Sequence, residues 1–162
     1  MAALTTSDRY FAVGVTEVVY IPTIAATTLI PTRAEITAGT VLTNEIADIS
    51  GWTKQAGSIP VADLGTRFTG NLPGRITVDS SSLTFYADKE GTDVRATLPQ
   101  DTEGYIAFMD GGDVAASKMD VYPIRVSSLG KVRSTSDQAA QITVAFAITS
   151  EPATDVAIPA AV

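Results

Sequence analysis

The stretch Ser82–Asp113, SLTFYADKEGTDVRATLPQDTEGYIAFMDGGD, predicts a strand, a short helix and a second strand. Leu83 and Phe85 alternate with polar residues, which is the period of a half-buried strand. Tyr105–Met109 is apolar and is followed by two glycines, which is typical of a second strand that ends in a turn.

The predicted helix covers about residues 92–98. Thr92 is predicted to cap it with its hydroxyl, and Val94 and Leu98 share one face because they lie four residues apart. Pro99 disfavours helical geometry at the preceding residue and ends the helix. A helix of about two turns does not persist alone in water, so we expect it to pack on the sheet.

The composition indicates one mainly β domain over residues 1–162. Of its residues, 45% are hydrophobic, and 12 glycines and 8 prolines interrupt the chain at short intervals. Short apolar runs separated by turn residues are typical of antiparallel β-sandwiches. The predicted fold class is therefore a β-sandwich of antiparallel strands with one short flanking helix.

The absence of two residue types excludes much chemistry. The chain has no Cys and no His, which excludes thiol nucleophiles, Cys/His zinc sites and histidine bases. The net charge of −7 repels phosphate backbones, so a DNA-gripping role is not expected. The negative charge does not exclude a protein past which DNA slides without binding. The longest uncharged run contains prolines, and neither a membrane span nor a signal peptide is predicted.

The strand pattern along the rest of the chain is less regular than in the opening stretch. Glu45–Gln55 is predicted as a strand with a bulge near Asp48, and Gln141–Thr149 shows the clearest alternation. The other predicted strands are Phe11–Ile21, Ile59–Leu64, Arg75–Ala87 (one strand or two) and Asp120–Leu129. Turns are predicted at Gly39, Ala56–Ser58 and Ser128–Lys131, and a loop at Gly65–Gly74.

Three segments suggest contacts with other subunits. Residues 1–9 form a polar arm, residues 22–32 are apolar between prolines, and residues 151–162 are rich in Pro and Ala. The 22–32 segment is either an arm on a neighbouring subunit or a loop packed on its own domain. Trp52 is interpreted as a core or interface anchor. The candidates for inter-subunit contact are Ile24, Leu29, Ile30, Trp52, Val156 and Ile158.

No catalytic, cofactor or metal site is predicted. Asp88, Glu90 and Asp93 resemble part of a calcium loop, but the bidentate Glu of that loop is missing, and a turn with a helix cap explains them. Asp110–Asp113 is ordinary turn chemistry around two glycines. No phosphate-binding loop and no distinct pair of carboxylates appears, so an enzyme is not expected.

Several segments resemble the major tail (tail tube) proteins of long-tailed bacteriophages. Ile49–Trp52 followed by Ile59–Leu64 is similar to a stretch common in these proteins, although Pro60 stands where an acidic residue is expected. Asp79–Asp113, Lys118–Val126 and the final strand into Glu151–Pro152 are similar to tail tube proteins of phages that infect actinobacteria. The resemblance covers about residues 10–155.

The resemblance implies a structural virion protein of the phage tail, assembled in the host cytoplasm. Six subunits would form a ring, and rings would stack into a tube whose inner β-barrel is built from strands of every subunit. The implied partners are other copies of the chain, a tape measure protein inside the tube, tail terminator and tail-tip proteins, and double-stranded DNA in transit. The bore would be acidic, and its candidate carboxylates are Glu45, Asp48 and Asp79.

Two other readings remain open at this point. The tube of a contractile tail or injection system shares the implied fold. An adhesive or carbohydrate-binding β-sandwich is a different class, which would need an aromatic-lined site, and Trp52 is the only Trp.

Overall fold

The computed structural model describes residues 3–160, so the predicted arm 1–9 and tail 151–162 lie partly outside the described residues. The strands are β1 Glu17–Ile21, β2 Thr40–Val41, β3 Ile46–Ser50, β4 Lys54–Val61, β5 Gly70–Val78, β6 Ser81–Tyr86, β7 Glu103–Met109, β8 Lys118–Val132, β9 Gln141–Ile148 and β10 Ala153–Ala157. The helices are α1 Arg33–Thr37, α2 Val94–Thr97 and a 3-10 turn at Thr43–Glu45. The fold is mainly β with antiparallel sheets, as predicted, and is consistent with a β-sandwich.

Among the described residues the chain forms two compact units, each built from separated segments. Unit 1 contains residues 3–44, 105–121 and 152–160, and unit 2 contains residues 45–104 and 122–151. In unit 1, β1 pairs antiparallel with β2 and β7, and β10 pairs with the start of β8. The buried core of unit 1 includes Val19, Ile21, Ile24, Ile36, Met109, Met119, Val121 and Ile158.

Helix α1 was not predicted, although its start carries a sequence signal. Thr32 accepts a hydrogen bond from the Glu35 backbone N–H, and the Glu35 carboxylate accepts one from the Thr32 backbone N–H, which is a capping box. The Thr-x-x-Glu spacing after Pro31 is the sequence form of this motif. Arg33 forms a bidentate ion pair with Asp113, which ties the helix to the loop after β7.

In unit 2 the strand order is β8-β9-β6-β3, and all the neighbouring pairs are antiparallel. The alternation predicted for the opening stretch is confirmed, because Leu83 and Phe85 are fully buried on β6. The alternation predicted for Gln141–Thr149 is also confirmed, since β9 buries Ile142, Val144 and Phe146.

Helix α2 lies within the predicted range 92–98, but it spans only Val94–Thr97, about one turn rather than two. Val94 and Leu98 are buried, as predicted. The predicted cap is wrong by one residue. Asp93 is the N-cap, because its carboxylate accepts from the Arg95 backbone N–H, whereas the Thr92 hydroxyl donates to Asp88.

Three predicted features of the strands are corrected by the structure. The strand Glu45–Gln55 is interrupted at Gly51 and Trp52, both of which have positive φ, although the bulge near Asp48 is confirmed. The predicted turn Ala56–Ser58 lies within β4 as a bulged part of the strand, and β5 begins inside the predicted loop Gly65–Gly74.

The structure shows three further differences from the predicted strands and turns. The first strand begins at Glu17 rather than Phe11. The predicted turn Ser128–Lys131 is absent, because β8 continues to Val132 and pairs with β9 through an irregularity after Val126. The tail forms β10, which periodicity alone did not predict.

Candidate assembly surface

The β4–β5 hairpin is a long and largely exposed element. All eight residues of β4 are exposed, and so are most residues of β5. The two strands pair only with each other in a two-stranded sheet. Such a sheet is at best marginally stable in water without further packing. The hairpin therefore needs either a rigid attachment or a partner.

One face of the hairpin is apolar near its tip. Ile59 lies directly opposite Leu72 in the register, and Val61 lies two residues further along the same face. Ile59 is 52% exposed and Leu72 is 58% exposed. The connecting loop adds Leu64 and Phe68, both largely exposed. These five residues form what we call the hairpin patch.

The charge of the hairpin differs from that of the chain as a whole. Lys54, Arg67 and Arg75 lie on the hairpin and its loop, with Asp63 as the one acidic residue there. The whole chain has net charge −7. A basic, partly apolar hairpin is complementary to the acidic surface that a second copy of the same chain would offer.

The base of the hairpin is a corner between β3 and β4 that is built around Trp52. Trp52 is buried, its ring lies edge-on to Tyr122 with centroids 5.2 Å apart, and it also contacts Phe146 at 5.4 Å. Its backbone N–H donates to Ser81 Oγ and its indole N–H to the Ser82 carbonyl, each at 3.2 Å. Trp52 is thus an anchor in the core of unit 2, one of the two roles predicted for it.

The three predicted bore carboxylates differ in their surroundings. Glu45 ends the 3-10 turn, Asp48 lies on β3, and both side chains are exposed. Asp79 lies between β5 and β6, where Oδ2 accepts from Thr53 Oγ1 at 2.9 Å and Gln55 Nε2 at 2.7 Å. Glu45 and Asp48 are open to a partner, whereas Asp79 already binds two groups at the hairpin base.

The 22–32 segment packs on its own unit in this structure. Ile24 is buried in the core of unit 1, Leu29 is partly buried against that core, and Ile30 is 43% exposed. The Glu35 carboxylate holds the segment by accepting hydrogen bonds from Thr32 and from the Ala25 backbone N–H. These hydrogen bonds, chiefly those from Thr32, lower the pKa of Glu35.

The tail shows the same division between buried and accessible residues. Ile158 is buried in unit 1, and its backbone bonds to Ser117 and Ala116. Val156, on β10, is only partly buried against the same core. Of the residues predicted for inter-subunit contact, Ile24, Trp52 and Ile158 are therefore covered by the chain itself, while Leu29, Ile30 and Val156 keep exposed surface.

The acidic loop before α2 is held by internal hydrogen bonds and one ion pair. The Arg95 guanidinium donates to both oxygens of Asp93 and to the Asp88 carbonyl. Arg95 holds the pKa of Asp93 well below its usual range, and the Thr92 hydroxyl lowers the pKa of Asp88. Within residues 3–160 no group of three or more potential ligands is arranged for a metal ion.

Sequence reasoning missed the hairpin patch. Pro60 and the glycines of β5 weakened the strand signal, and Ile59 and Leu72 belong to segments interpreted as a short strand and a loop. It also missed the exposed apolar residues before β1, which include Tyr10, Phe11 and Val13.

None of the helices in the described part of the chain is long and apolar enough to cross a membrane.

Comparisons with known proteins extend these observations. The profile of a family described as phage tail tube protein matches residues 4–161. A search of curated proteins finds no significant match. The fold is similar to a chain of the six-fold symmetrised anti-feeding prophage baseplate, with TM-score 0.55 and 11% identity over 93% of this chain and 95% of that one. It is also similar to a chain in the tail of an empty GTA particle refined with C6 symmetry, with TM-score 0.50 and 13% identity over 88% and 95%. At these identities the likeness concerns the fold.

Proposed function

Because the chain belongs to the phage tail tube protein family, we propose that it is a structural subunit that builds a tube with other copies of itself through the hairpin patch. The observation that carries this proposal is the exposed β4–β5 hairpin. A two-stranded sheet with exposed apolar residues gains stability when a second subunit covers it. The role is structural and not catalytic, which is the character of the family.

The proposed assembly is a ring of six subunits, with rings stacked into the tail tube. Strand β3 supports it, because among the described residues this strand pairs only with β6 and leaves its other edge open. An open edge is a template for pairing with another chain, and closing a barrel removes such edges. Leu29, Ile30 and Val156 are the predicted contact residues that remain accessible for neighbouring subunits.

The proposed route for DNA is the bore of this tube. Double-stranded DNA carries one charge per about 1.7 Å of axis, so basic side chains around a narrow bore would bind it. Exposed carboxylates on the open-edged strand β3 and just before it, Asp48 and Glu45, would instead keep a hydrated gap. The remaining proposed partners are a tape measure protein inside the tube, and terminator and tail-tip proteins at its ends. The tube would be assembled in the host cytoplasm and carried in the virion.

A pair of adjacent hairpin substitutions tests the proposal. Leu72→Asp places a charge within the hairpin patch, whereas Asn71→Asp places the same charge on the opposite face of the strand. Both positions are exposed, so neither substitution should alter the fold of the subunit. The measurement is assembly of concentrated protein, followed by sedimentation velocity and electron microscopy.

The parent protein and Asn71→Asp are expected to form rings or tubes, while Leu72→Asp stays monomeric. If Leu72→Asp assembles at the same concentration as the parent, the hairpin patch is not the contact. A parent that stays monomeric at every concentration, also when seeded with tail tips, would contradict self-assembly itself.

A further inference from the structure

We propose that the Asp79 carboxylate is a positioning group that closes the base of the β4–β5 hairpin and fixes the direction in which the hairpin meets a second subunit. The part of this inference that concerns a second subunit rests on the proposed function, whereas the closing of the hairpin base does not. It gives Asp79 a role different from that of a bore carboxylate.

The contacts of Asp79 join the two ends of the hairpin. Its Oδ2 atom accepts hydrogen bonds from Thr53, just before β4, and from Gln55, within β4. Its backbone N–H donates to the Thr53 carbonyl at 3.1 Å, which adds one rung beyond the Lys54–Val78 pair. One side chain and one backbone group thus hold the strands together where the hairpin leaves the sheet.

The same base is attached to the core of unit 2. The Asp79 carbonyl accepts from the hydroxyl of Ser81, and that hydroxyl oxygen also accepts from the Trp52 backbone N–H. Trp52 is buried against Tyr122 and Phe146. The hydrogen bonds therefore run from the core, through Trp52 and Ser81, to the carboxylate that closes the hairpin.

Beyond this base, unit 2 gives the hairpin little support, because the whole of β4 is exposed. Its direction is consequently set mainly at its base, where Lys54 also forms an ion pair with Glu151 at 3.3 Å. If the base opens, the hairpin patch can take many directions, and docking must then select among them at an entropic cost. Asp79 lowers that cost by pre-organising the hairpin.

Two substitutions separate a positioning role from a charge in the bore. Asp79→Asn keeps a side-chain oxygen that can accept from Thr53 and Gln55 but removes the charge, whereas Asp79→Ala removes both. Hydrogen exchange of the dilute monomer reports the hairpin directly. Asp79→Ala is expected to speed exchange of the β4 and β5 amides about tenfold while β6 and β9 keep their protection. Asp79→Asn is expected to stay within about twofold of the parent.

Assembly supplies the second readout. Asp79→Ala should raise the concentration needed for tubes about tenfold, and Asp79→Asn should restore it to nearly the parental value. Equal defects in Asn and Ala variants, or unchanged hairpin exchange in Asp79→Ala, would overturn the proposal. If the parent does not assemble, the proposed function fails, and the exchange experiment on the monomer still decides whether Asp79 closes the hairpin.

Discussion

The phenolic oxygen of Tyr122 donates a hydrogen bond of 2.5 Å to the backbone carbonyl of Trp52, a residue 70 positions earlier in the chain. The rings of the two residues also meet edge to face. Trp52 stands at the corner where β3 ends and β4 begins, so the pair anchors that corner to β8. The contact links the buried core of unit 2 to the exposed β4–β5 hairpin.

Removing the Tyr122 hydroxyl tests this anchor. Tyr122→Phe keeps the ring and loses the hydrogen bond to Trp52, which should lower the free energy of unfolding by about 0.5–1.5 kcal/mol. Tyr86→Phe is the matched control, because Tyr86 is 42% exposed on β6, and its effect should stay within about 0.5 kcal/mol. Urea unfolding of the monomer measures both, and equal effects would contradict the anchoring role of Tyr122.

Gly51 is expected to tolerate no side chain. It has φ of +84°, and a Cβ atom there would lie 2.4 Å from the Ser80 carbonyl oxygen. Gly51→Ala should therefore destabilise unit 2 by at least about 1–3 kcal/mol from the backbone conformation, with the clash adding to it. Gly70→Ala is the control, since nothing lies within 4 Å of its Cβ position. Thermal melts in which both variants match the parent would show that the corner is more adaptable than its geometry indicates.

Leu98 tests the packing of α2. Its side chain is fully buried, so Leu98→Ala should cost about 2–5 kcal/mol in the free energy of unfolding. Leu64→Ala removes the same atoms from the exposed hairpin tip and should leave monomer stability unchanged. An unchanged melting temperature for Leu98→Ala would place the helix away from the core.

The ionised Asp93 carboxylate should stabilise the folded protein at neutral pH, and this contribution should be lost in acid. Arg95 lowers its pKa in the folded state, so the unfolded state binds the proton more readily. The contribution is complete above the unfolded pKa of about 4 and is lost as the pH falls from there towards the lower folded value. Asp93→Asn should therefore be less stable than the parent at neutral pH. The difference between their free energies of unfolding should narrow below about pH 4.

The same change at the exposed residue Asp137 controls for the loss of one negative charge. Urea unfolding of both variants between pH 7 and the acid limit makes the comparison. If the difference in the free energy of unfolding between the parent and Asp93→Asn stays constant over this range, the interaction does not depend on the ionised carboxylate.

Asp48 tests the proposed acidic bore. Asp48→Lys should still allow tubes to form, and it should slow DNA ejection most at low salt, where screening is weakest. Asp48→Asn, which removes the charge without reversing it, should have a smaller effect in the same direction. Ejection at the parental rate by Asp48→Lys at every salt concentration would place Asp48 away from the DNA.

The parts of the fold that sequence reasoning predicted are those in which one face is buried. β6 and β9 alternate because only one face of each packs in the core, and α2 places Val94 and Leu98 on one side. Such periodicity follows directly from burial. The bulge near Asp48 was visible for the same reason, as a fault in the alternation of Ile46 and Ile49.

The parts that it missed have no buried face or depend on distant partners. The hairpin is exposed on β4 throughout, so no period marks it, and Pro60 and the glycines of β5 obscured it further. The break at Trp52 depends on Ser81 and Tyr122, which lie far away in sequence. Asp79 was singled out for its charge, whereas its hydrogen bonds to Thr53 and Gln55 became visible only in the structure.

Cryo-electron microscopy of the assembled particle can show whether the chain builds a tube through its hairpin. We expect six subunits in each ring, the hairpin patch around Ile59 and Leu72 buried against a neighbouring subunit, and Asp48 facing the bore. A tube in which the hairpin of residues 54–78 projects into solvent without touching another subunit would contradict it.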